Sequence, residues 1–167
     1  MYKILIVDDE SIEREGISFL IEKYKLPLEV AQATNGKTAL EYMRTHPIDI
    51  LLTDVKMPQM DGLELARHTF EKYPDVRILV FSAYGEFEFA KKAMAAQAVS
   101  YLLKPIEVDE FQRVMAQILA RCDELAEKKK DEQQRGEEYR QQLLFRLVTG
   151  TGLGKAHITE EWFSGQT

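Results

Sequence analysis

Five short apolar runs recur along the chain, and a turn and then a helical pattern follow each of them. The runs are Lys3–Val7, Leu28–Ala33, Ile48–Asp54, Val76–Phe81 and Val99–Leu103. They are too short for buried helices, and prolines such as Pro47 and Pro58 stop helices from extending into them. Continuous apolar runs are typical of strands that are buried on both faces of a parallel sheet. The pattern therefore predicts five interior strands.

The segments that follow the strands carry apolar residues at helical spacing. The predicted helices are Ser11–Lys25, a second one that starts after Thr34-Asn35-Gly36 and ends before Pro47, Gly62–Tyr73, Glu86–Ala98, and a long one from Val108. Apolar residues at helical spacing mark the first helix at Ile12, Gly16, Phe19, Leu20 and Tyr24, and the second at Ala39, Leu40 and Met43. In the third helix we expect Leu63, Leu65, Ala66 and Phe70 to face inward. Asn35 and Asp61 are candidate N-caps. Because parallel neighbours need right-handed crossovers, this alternation predicts a doubly wound α/β sheet.

Length and composition limit the chain to one ordinary domain. Its 167 residues allow a domain over about residues 1–125 and a helical linker and tail over 126–167. No signal peptide and no membrane-spanning apolar run is visible, so we expect a cytosolic protein. The single cysteine, Cys122, can form no internal disulfide, and its apolar neighbours predict a small core or seam residue.

Charge argues against one class of partner. The net charge is −6, and the whole acidic excess lies between Met1 and Glu110. An acidic domain repels the phosphates of nucleic acids, so we do not expect this domain to bind DNA.

Polar residues follow four of the five strands. Asp8 and Asp9 follow the first, Asp54 ends the third, Ser82 follows the fourth and Lys104 follows the fifth. The carboxyl ends of parallel strands meet at one edge, where α/β proteins bind ligands. A lone aspartate there is usually only solvated, but three clustered carboxylates call for a hard cation, Mg²⁺ or Mn²⁺. A carboxylate beside such a cation can attack phosphorus to form an acyl phosphate, while the ammonium group offsets phosphoryl charge.

Four motifs carry a resemblance to a known family. They are Ile-Val-Asp8-Asp9-Glu, Thr-Asp54-Val-Lys-Met-Pro58 with Asp61-Gly62, Phe-Ser82-Ala83, and Tyr101-Leu-Leu-Lys104-Pro105. In this order and spacing they resemble the receiver domain of two-component response regulators, the CheY-like fold, over about Tyr2 to Leu125. The resemblance implies strand order 2-1-3-4-5. It also implies a phosphorylated signalling switch that is driven by a sensor histidine kinase and is not an enzyme beyond slow self-dephosphorylation.

The resemblance also implies roles at the acidic site. Asp54 would accept the phosphoryl group. Asp9, Asp54 and the backbone carbonyl of Lys56 would hold Mg²⁺, and Asp8 would act through a metal-bound water. The side chain of Lys56 is expected to be a solvated turn residue.

Three further residues would transmit the signal. The resemblance implies that Lys104 pairs with the phosphoryl group, that Ser82 moves to hydrogen-bond it, and that Tyr101 turns inward as Ser82 moves. The Lys104-Pro105 peptide bond would be cis. Taken alone, Ser82 would more simply satisfy a strand end and Tyr101 would be an amphipathic rim residue.

A subfamily is indicated by the segment from Tyr84 to Met94, which is similar to that of YesN-type regulators with an AraC-like DNA-binding domain. After Val148 only the tail Thr149–Thr167 follows, with no room for paired helix-turn-helix units. We therefore expect a truncated regulator or an isolated receiver domain, with DNA contacted only through an output domain that this chain lacks.

Two other functions share parts of this pattern. Haloacid dehalogenase-like phosphatases also use an aspartyl phosphate, but they place a second Asp two residues after the nucleophile, where this chain has Lys56. A flavodoxin-like binding module needs a phosphate-cradling loop after the first strand. Here that loop is Asp8-Asp9-Glu10, which repels phosphate without a metal.

The final helix carries a seam-like pattern. Steps of four and three join Phe111, Met115, Ile118, Cys122 and Leu125, part of which must cover the sheet. The same register brings Lys129, Glu132 and Gly136 onto the seam before Tyr139 and Leu143, so the helix should be weakest near Gln133–Gly136. One hypothesis is a homodimer through this helix. The other is a single core-packing helix followed by a solvated linker.

Overall fold

The structure, a computed structural model, describes residues 1–83 and 99–150. Within these residues it contains a parallel sheet of five strands in the order β2-β1-β3-β4-β5. The strands are β1 Tyr2–Val7, β2 Leu28–Ala33, β3 Ile50–Asp54, β4 Arg77–Ala83 and β5 Val99–Lys104. The predicted fold class and strand order are confirmed, and the strand ends differ from the predicted ones by at most two residues.

Four helices are described around this sheet. They are α1 Ser11–Lys23, α2 Gly36–Thr45, α3 Gly62–Lys72 and α4 Val108–Thr149. Asn35 caps α2 through a capping box with Thr38, and the Asp61 side chain accepts from the Glu64 amide at the start of α3, so both predicted caps are confirmed. The predicted helix Glu86–Ala98 and the tail beyond Gly150 lie outside the described residues.

The chain divides into two compact units, Met1–Leu125 and Ala126–Thr167. The first unit contains the sheet and the first part of α4. In the second unit, every described residue from Ala126 to Gly150 is exposed. Among the described residues, no helix is both long enough and apolar enough to cross a bilayer.

Two clusters of buried side chains, one on each face of the sheet, form the described core. Ile4 and Ile6 of β1 belong to the cluster that also contains residues of α1 and α4, whereas Leu5 and Val7 belong to the cluster with residues of α2 and α3. Successive side chains of a strand point to opposite faces. The continuous apolar run of β1 therefore follows from its position between two helical layers.

The apolar positions that marked α1 in the sequence are not its buried positions. Ile17 and Ile21 are the buried residues of this helix, whereas Ile12 is 71% exposed and Phe19 is 59% exposed. Apolar residues lie on two sides of α1, and only the side with the two β-branched isoleucines packs in the core cluster beneath the helix. Periodicity alone does not choose between two such faces.

The predicted face of α3 is wrong at one position. Leu65 and Ala66 are buried as predicted, but Phe70 is 42% exposed. Thr69 is buried instead, and its hydroxyl donates to the Leu65 carbonyl at 2.9 Å. Thr69 follows Leu65 by four residues and so lies on the same face of the helix.

The first part of α4 packs in the core. Phe111, Met115, Ile118 and Cys122 are buried in the same cluster as α1. Burial raises the pKa of the Cys122 thiol to about 11, which agrees with the predicted core role. This part of the stripe is therefore not available as a seam between two chains. The segment Glu124–Glu138 is helical.

Candidate functional site

An acidic cluster lies at the carboxyl edge of the sheet. Asp8 directly follows β1 and Asp54 ends β3, and these strands are neighbours with Val7 opposite Thr53. Asp8 is 1% exposed and Asp54 is 7% exposed, whereas Asp9 is exposed. One carboxylate oxygen from each of the three lies within 4.8 Å of the others. The sheet register thus brings together the three aspartates that the sequence singled out.

Lys104 lies among these carboxylates. Its ammonium nitrogen is 3.2 Å from Oδ1 of Asp54 and 3.3 Å from Oδ2 of Asp8. It also lies 4.5 Å from the centre of the Phe81 ring, a cation–π contact that suits a partly desolvated ammonium. The last residue of β5 therefore bridges the ends of β1 and β3.

The pKa values of Asp54 and Lys104 depend on burial and on the neighbouring charges. Burial raises the pKa of the Asp54 carboxyl above its ordinary value, with the nearby charge of Asp8 acting in the same direction and Lys104 opposing both. Burial alone would lower the pKa of Lys104, but the charges of Asp54 and Asp8 outweigh it and raise that pKa. The ammonium therefore stays charged and favours the ionised form of the Asp54 carboxyl.

The backbone of Asp54 is held by the start of α3. The Gly62 amide donates to the Val55 carbonyl at 2.8 Å. A Cβ atom at position 62 would lie 1.7 Å from the Asp54 carbonyl oxygen, so no other residue fits without moving that strand end. The Thr53 hydroxyl donates to the same Asp54 carbonyl at 3.0 Å. These contacts fix the main chain from which the Asp54 carboxylate projects.

Ser82 and Tyr101 lie on the neighbouring strands. Phe81 is opposite Asp54 in the sheet, so Ser82 follows one position beyond it. Ser82 is buried, and its hydroxyl lies 3.5 Å from the Ala83 carbonyl, which is the outer limit of a hydrogen bond. Tyr101 is half-buried opposite Val80 and packs against the cluster of α2 and α3. Burial raises the pKa of its phenol.

Two other expectations concern the loops beside the site. Lys56 lies in the loop after β3 with its side chain exposed, as predicted. The role of its carbonyl stays a prediction. The Lys104-Pro105 bond is cis, as the resemblance implies.

Sequence reasoning missed Glu13 and Arg14, which lie in the first turn of α1. Oε1 of Glu13 is 3.9 Å from Nζ of Lys104, so a third carboxylate faces the ammonium. Arg14 donates to the main chain of Asp8. The available signal was their position, because a helix that begins right after Asp8 and Asp9 places its first turn at the same edge.

The donor set fits a hard divalent cation. The three aspartates offer carboxylate oxygens within one small volume, and such oxygens are the ligands that Mg²⁺ and Mn²⁺ prefer. Together with Lys104, such a cation would offset the repulsion between these carboxylates.

The chain matches a known protein family over most of its length. The family model described as response regulator receiver domain matches residues 4–116. The transcriptional regulatory protein YesN of Bacillus subtilis is 41% identical over 121 residues, which are 72% of this chain and 33% of that protein. The transcriptional regulatory protein DegU of Brevibacillus brevis is 31% identical over 118 residues, which are 69% of this chain and 50% of that protein. The chain thus spans a third to a half of the length of these relatives.

Solved structures agree with these sequence matches. A two-component transcriptional regulator AraC from Clostridium phytofermentans is 35% identical with a TM-score of 0.69, and the match covers 74% of this chain and 97% of that one. The receiver (REC) domain of the response regulator AraT from Geobacillus stearothermophilus is 38% identical with a TM-score of 0.67, and the match covers 77% of this chain and 98% of that one. Both likenesses extend over nearly the whole of the compared structure.

Proposed function

The chain belongs to the family of response regulator receiver domains, and from this premise we propose that it is a phosphorylation-activated switch with Asp54 as its phosphoacceptor. One observation supports this most directly. The buried Asp54 carboxylate shares the Lys104 ammonium with Asp8 inside a cluster of three aspartates. A carboxylate in that position lies next to the positive charge that a phosphoryl group requires.

The proposed chemistry assigns each residue one task. An Asp54 oxygen forms the new bond to phosphorus, and the electrons of the broken bond leave with the imidazole of a sensor histidine kinase or with another phosphodonor. Asp9, Asp54 and the Lys56 carbonyl would hold Mg²⁺, with Asp8 acting through a bound water. When bound, the ion supplies the charge neutralisation that lets an anionic donor approach. Lys104 donates to the transferred phosphoryl oxygens.

Transmission is proposed to start at Ser82. A phosphoryl group adds about −1.5 to −2 charge and three acceptor oxygens. Within residues 1–83 and 99–150, the Ser82 hydroxyl has only a long contact to the Ala83 carbonyl, so little is lost there when it turns towards a new acceptor. Tyr101 would then turn inward. The helix expected at Glu86–Ala98, to which this change would pass, lies outside the described residues.

Output and partners complete the proposal. We propose a receiver domain over residues 1–125 and a helical linker and tail over 126–167, in a cytoplasmic protein. The kinase partner follows from the family. An AraC-like output that contacts DNA is proposed because one similar structure is that of a two-component transcriptional regulator AraC. The two relatives named above are also transcriptional regulators, and both are longer than this chain.

Enzymatic turnover is not proposed. A phosphatase of the haloacid dehalogenase type needs an acid two residues after the nucleophile, and here the exposed Lys56 occupies that position. A flavin module would need a phosphate loop after β1, where the acidic cluster begins.

A homodimer through the second part of α4 is proposed as well. Tyr139, Leu143, Leu144 and Leu147 are exposed on this helix, and large apolar side chains clustered in this way favour association. Sedimentation should show a reversible dimer, tighter when Asp54 is phosphorylated. Joint change of the three leucines to Ser should weaken it, whereas joint change of the exposed polar Gln133, Gln134 and Gln141 to Ser should not. A monomer at high micromolar concentration in both phosphorylation states would refute this part.

The function itself is tested by chemical phosphorylation. The protein is incubated with acetyl phosphate and Mg²⁺, trapped with borohydride and mapped by intact mass and peptide mass. Wild type should carry one modification at Asp54, Asp54→Ala should carry none, and the exposed-acid control Asp109→Ala should label like wild type. Wild-type labelling of Asp54→Ala, or labelling undiminished by EDTA, would refute the assignment.

A further inference from the structure

We propose that Arg14 is a positioning residue for the divalent-cation site, because its guanidinium fixes the loop that presents Asp8 and Asp9. The inference rests on the proposed function, since the cation is the Mg²⁺ of that site. Arg14 acts on the main chain of the loop, so its role is to hold ligands in place and not to touch the phosphoryl group.

The first contact joins Arg14 to the acidic loop. Its Nη1 donates to the Asp8 main-chain carbonyl at 2.6 Å. A hydrogen bond with a charged donor is shorter and roughly twice as strong as one between neutral groups. The Asp8 carbonyl is thereby held from the side of α1, directly after the last residue of β1.

The second contact anchors Arg14 to the sheet. Its Nε donates to Oε1 of Gln32 on β2 at 3.2 Å. Nε2 of Gln32 donates to the Ser18 hydroxyl at 3.0 Å, and that hydroxyl donates to the Arg14 carbonyl at 2.7 Å. The bonds among Arg14, Gln32 and Ser18 close a ring between α1 and β2. The bond from Arg14 to Asp8 connects this ring to the loop after β1.

The residue type matters for this ring. A guanidinium presents several N–H donors in one rigid plane, so it can bind the Asp8 carbonyl and Gln32 at once. An ammonium at position 14 has a flexible stem and no planar fork. Lysine would therefore keep the charge but hold the loop less well.

The loop needs an external support because its carboxylates repel one another. Three oxygens of Asp8, Asp9 and Asp54 lie within 4.8 Å of one another, and repulsion between them pushes the loop away from β3. The Asp8 amide donates to the Ala33 carbonyl of β2 at 3.3 Å, and the Glu10 amide donates to Oδ1 of Asp8 at 2.8 Å. Lys104 opposes the repulsion through its contact with Asp8 at 3.3 Å. The Arg14 bond adds to these contacts, so the ligands remain close together before the ion arrives.

The test measures Mg²⁺ affinity by isothermal titration calorimetry in the full chain. Groups that orient metal ligands commonly change affinity by about 10- to 100-fold, and we expect Arg14→Ala to raise the Kd for Mg²⁺ about tenfold. Arg14→Lys should give an intermediate Kd. Gln32→Ala, which removes only the anchor on β2, should give a smaller rise. Arg67→Ala, which removes the same charge from an exposed pair with Glu71 on α3, should bind like wild type.

A second readout separates positioning from general stability. Phosphorylation of Arg14→Ala by acetyl phosphate should require more Mg²⁺ but should reach the wild-type extent at saturating Mg²⁺. A wild-type Kd in Arg14→Ala would overturn the inference, even if the melting temperature of this variant falls. If Arg14→Ala does not fold, an unchanged Kd in Gln32→Ala and Arg14→Lys overturns it. No Mg²⁺ binding by wild type would instead overturn the proposed function.

Discussion

The two parts of α4 have the same secondary structure but different surroundings. Between Val108 and Leu125 the helix buries an apolar residue at every third or fourth position, and these residues belong to the domain core. Between Ala126 and Thr149 every residue is exposed. Two hydrogen bonds of this part are local: Gln134 with Glu138 at 3.3 Å and Thr149 with the Phe145 carbonyl at 2.7 Å. The first part is therefore held by tertiary packing and the second by helix propensity and short-range pairs.

This difference shows what a helical pattern predicts and what it does not. Apolar spacing predicts that a segment is helical, and both parts of α4 are helical. It does not say whether an apolar face has a partner in the same chain. Substitutions of one residue type in both parts should therefore have different consequences.

The largest difference is expected between two phenylalanines. Phe111→Ala should lower the free energy of unfolding by about 3–5 kcal/mol, because Phe111 is fully buried. Phe145→Ala should change it by no more than about 0.5 kcal/mol, because Phe145 is exposed. Urea unfolding of both variants, followed by circular dichroism, measures the two values. Equal losses would mean that the second part of α4 belongs to the same cooperative unit as the core.

A smaller difference is expected between two helical glycines. Gly16 of α1 and Gly136 of α4 both have open space where a Cβ would lie. Replacing a mid-helix glycine with alanine stabilises a helix by about 0.5–1 kcal/mol. Gly16→Ala should raise the free energy of unfolding of the domain by about this amount. Gly136→Ala should increase ellipticity at 222 nm and leave the unfolding midpoint of the domain unchanged.

The outcome for Gly136→Ala also tests the predicted weak point near Gln133–Gly136. Unchanged ellipticity would mean that this stretch is already fully helical in solution. A raised domain midpoint would contradict the independence of the second part of α4.

The smallest effect is expected from a polar contact in the first part of α4. The Tyr2 hydroxyl donates to Oδ1 of Asp123, and this bond, with burial and the Asp123 charge, raises the pKa of Tyr2 from 10.0 to about 12. The folded chain thus retains a proton that the unfolded chain loses first. Stability from this bond should be complete below pH 10 and should be lost as the pH rises to about 12.

The pH prediction is checked by comparing wild type with Tyr2→Phe. The difference between their melting temperatures should be constant up to about pH 10 and should shrink as the pH approaches 12. A difference that stays constant over the whole range would show that Tyr2 ionises equally in both states. The exposed tyrosine control, Tyr139→Phe, should show no such change.

Much of the fold and of the site follows from local sequence. Continuous apolar runs predicted the strands, and the cap residues Asn35 and Asp61 predicted helix starts. The rule that parallel strands end at one edge predicted that Asp8, Asp54 and Lys104 lie together. In the structure the Lys104 ammonium nitrogen is 3.3 Å from a carboxylate oxygen of Asp8 and 3.2 Å from one of Asp54. These features could be predicted because each depends on a few neighbouring residues or on strand direction alone.

Other features depend on contacts that spacing does not encode. Burial of Ile17 and Thr69, and exposure of Phe19 and Phe70, depend on which side of each helix meets the sheet. Both sides carry residues that fit a helical period. The reach of Arg14 to the Asp8 carbonyl depends on a long side chain crossing between elements. Such choices are made by packing in three dimensions.

The close contact at Gly62 has a consequence for motion in the molecule. The start of α3 and the end of β3 meet at main-chain atoms, with the Thr53 hydroxyl beside the contact. Position 62 has no room for a side chain that could change rotamer and take up a shift. We therefore expect the main chain of Asp54 and the start of α3 to be displaced together and not to slide past each other.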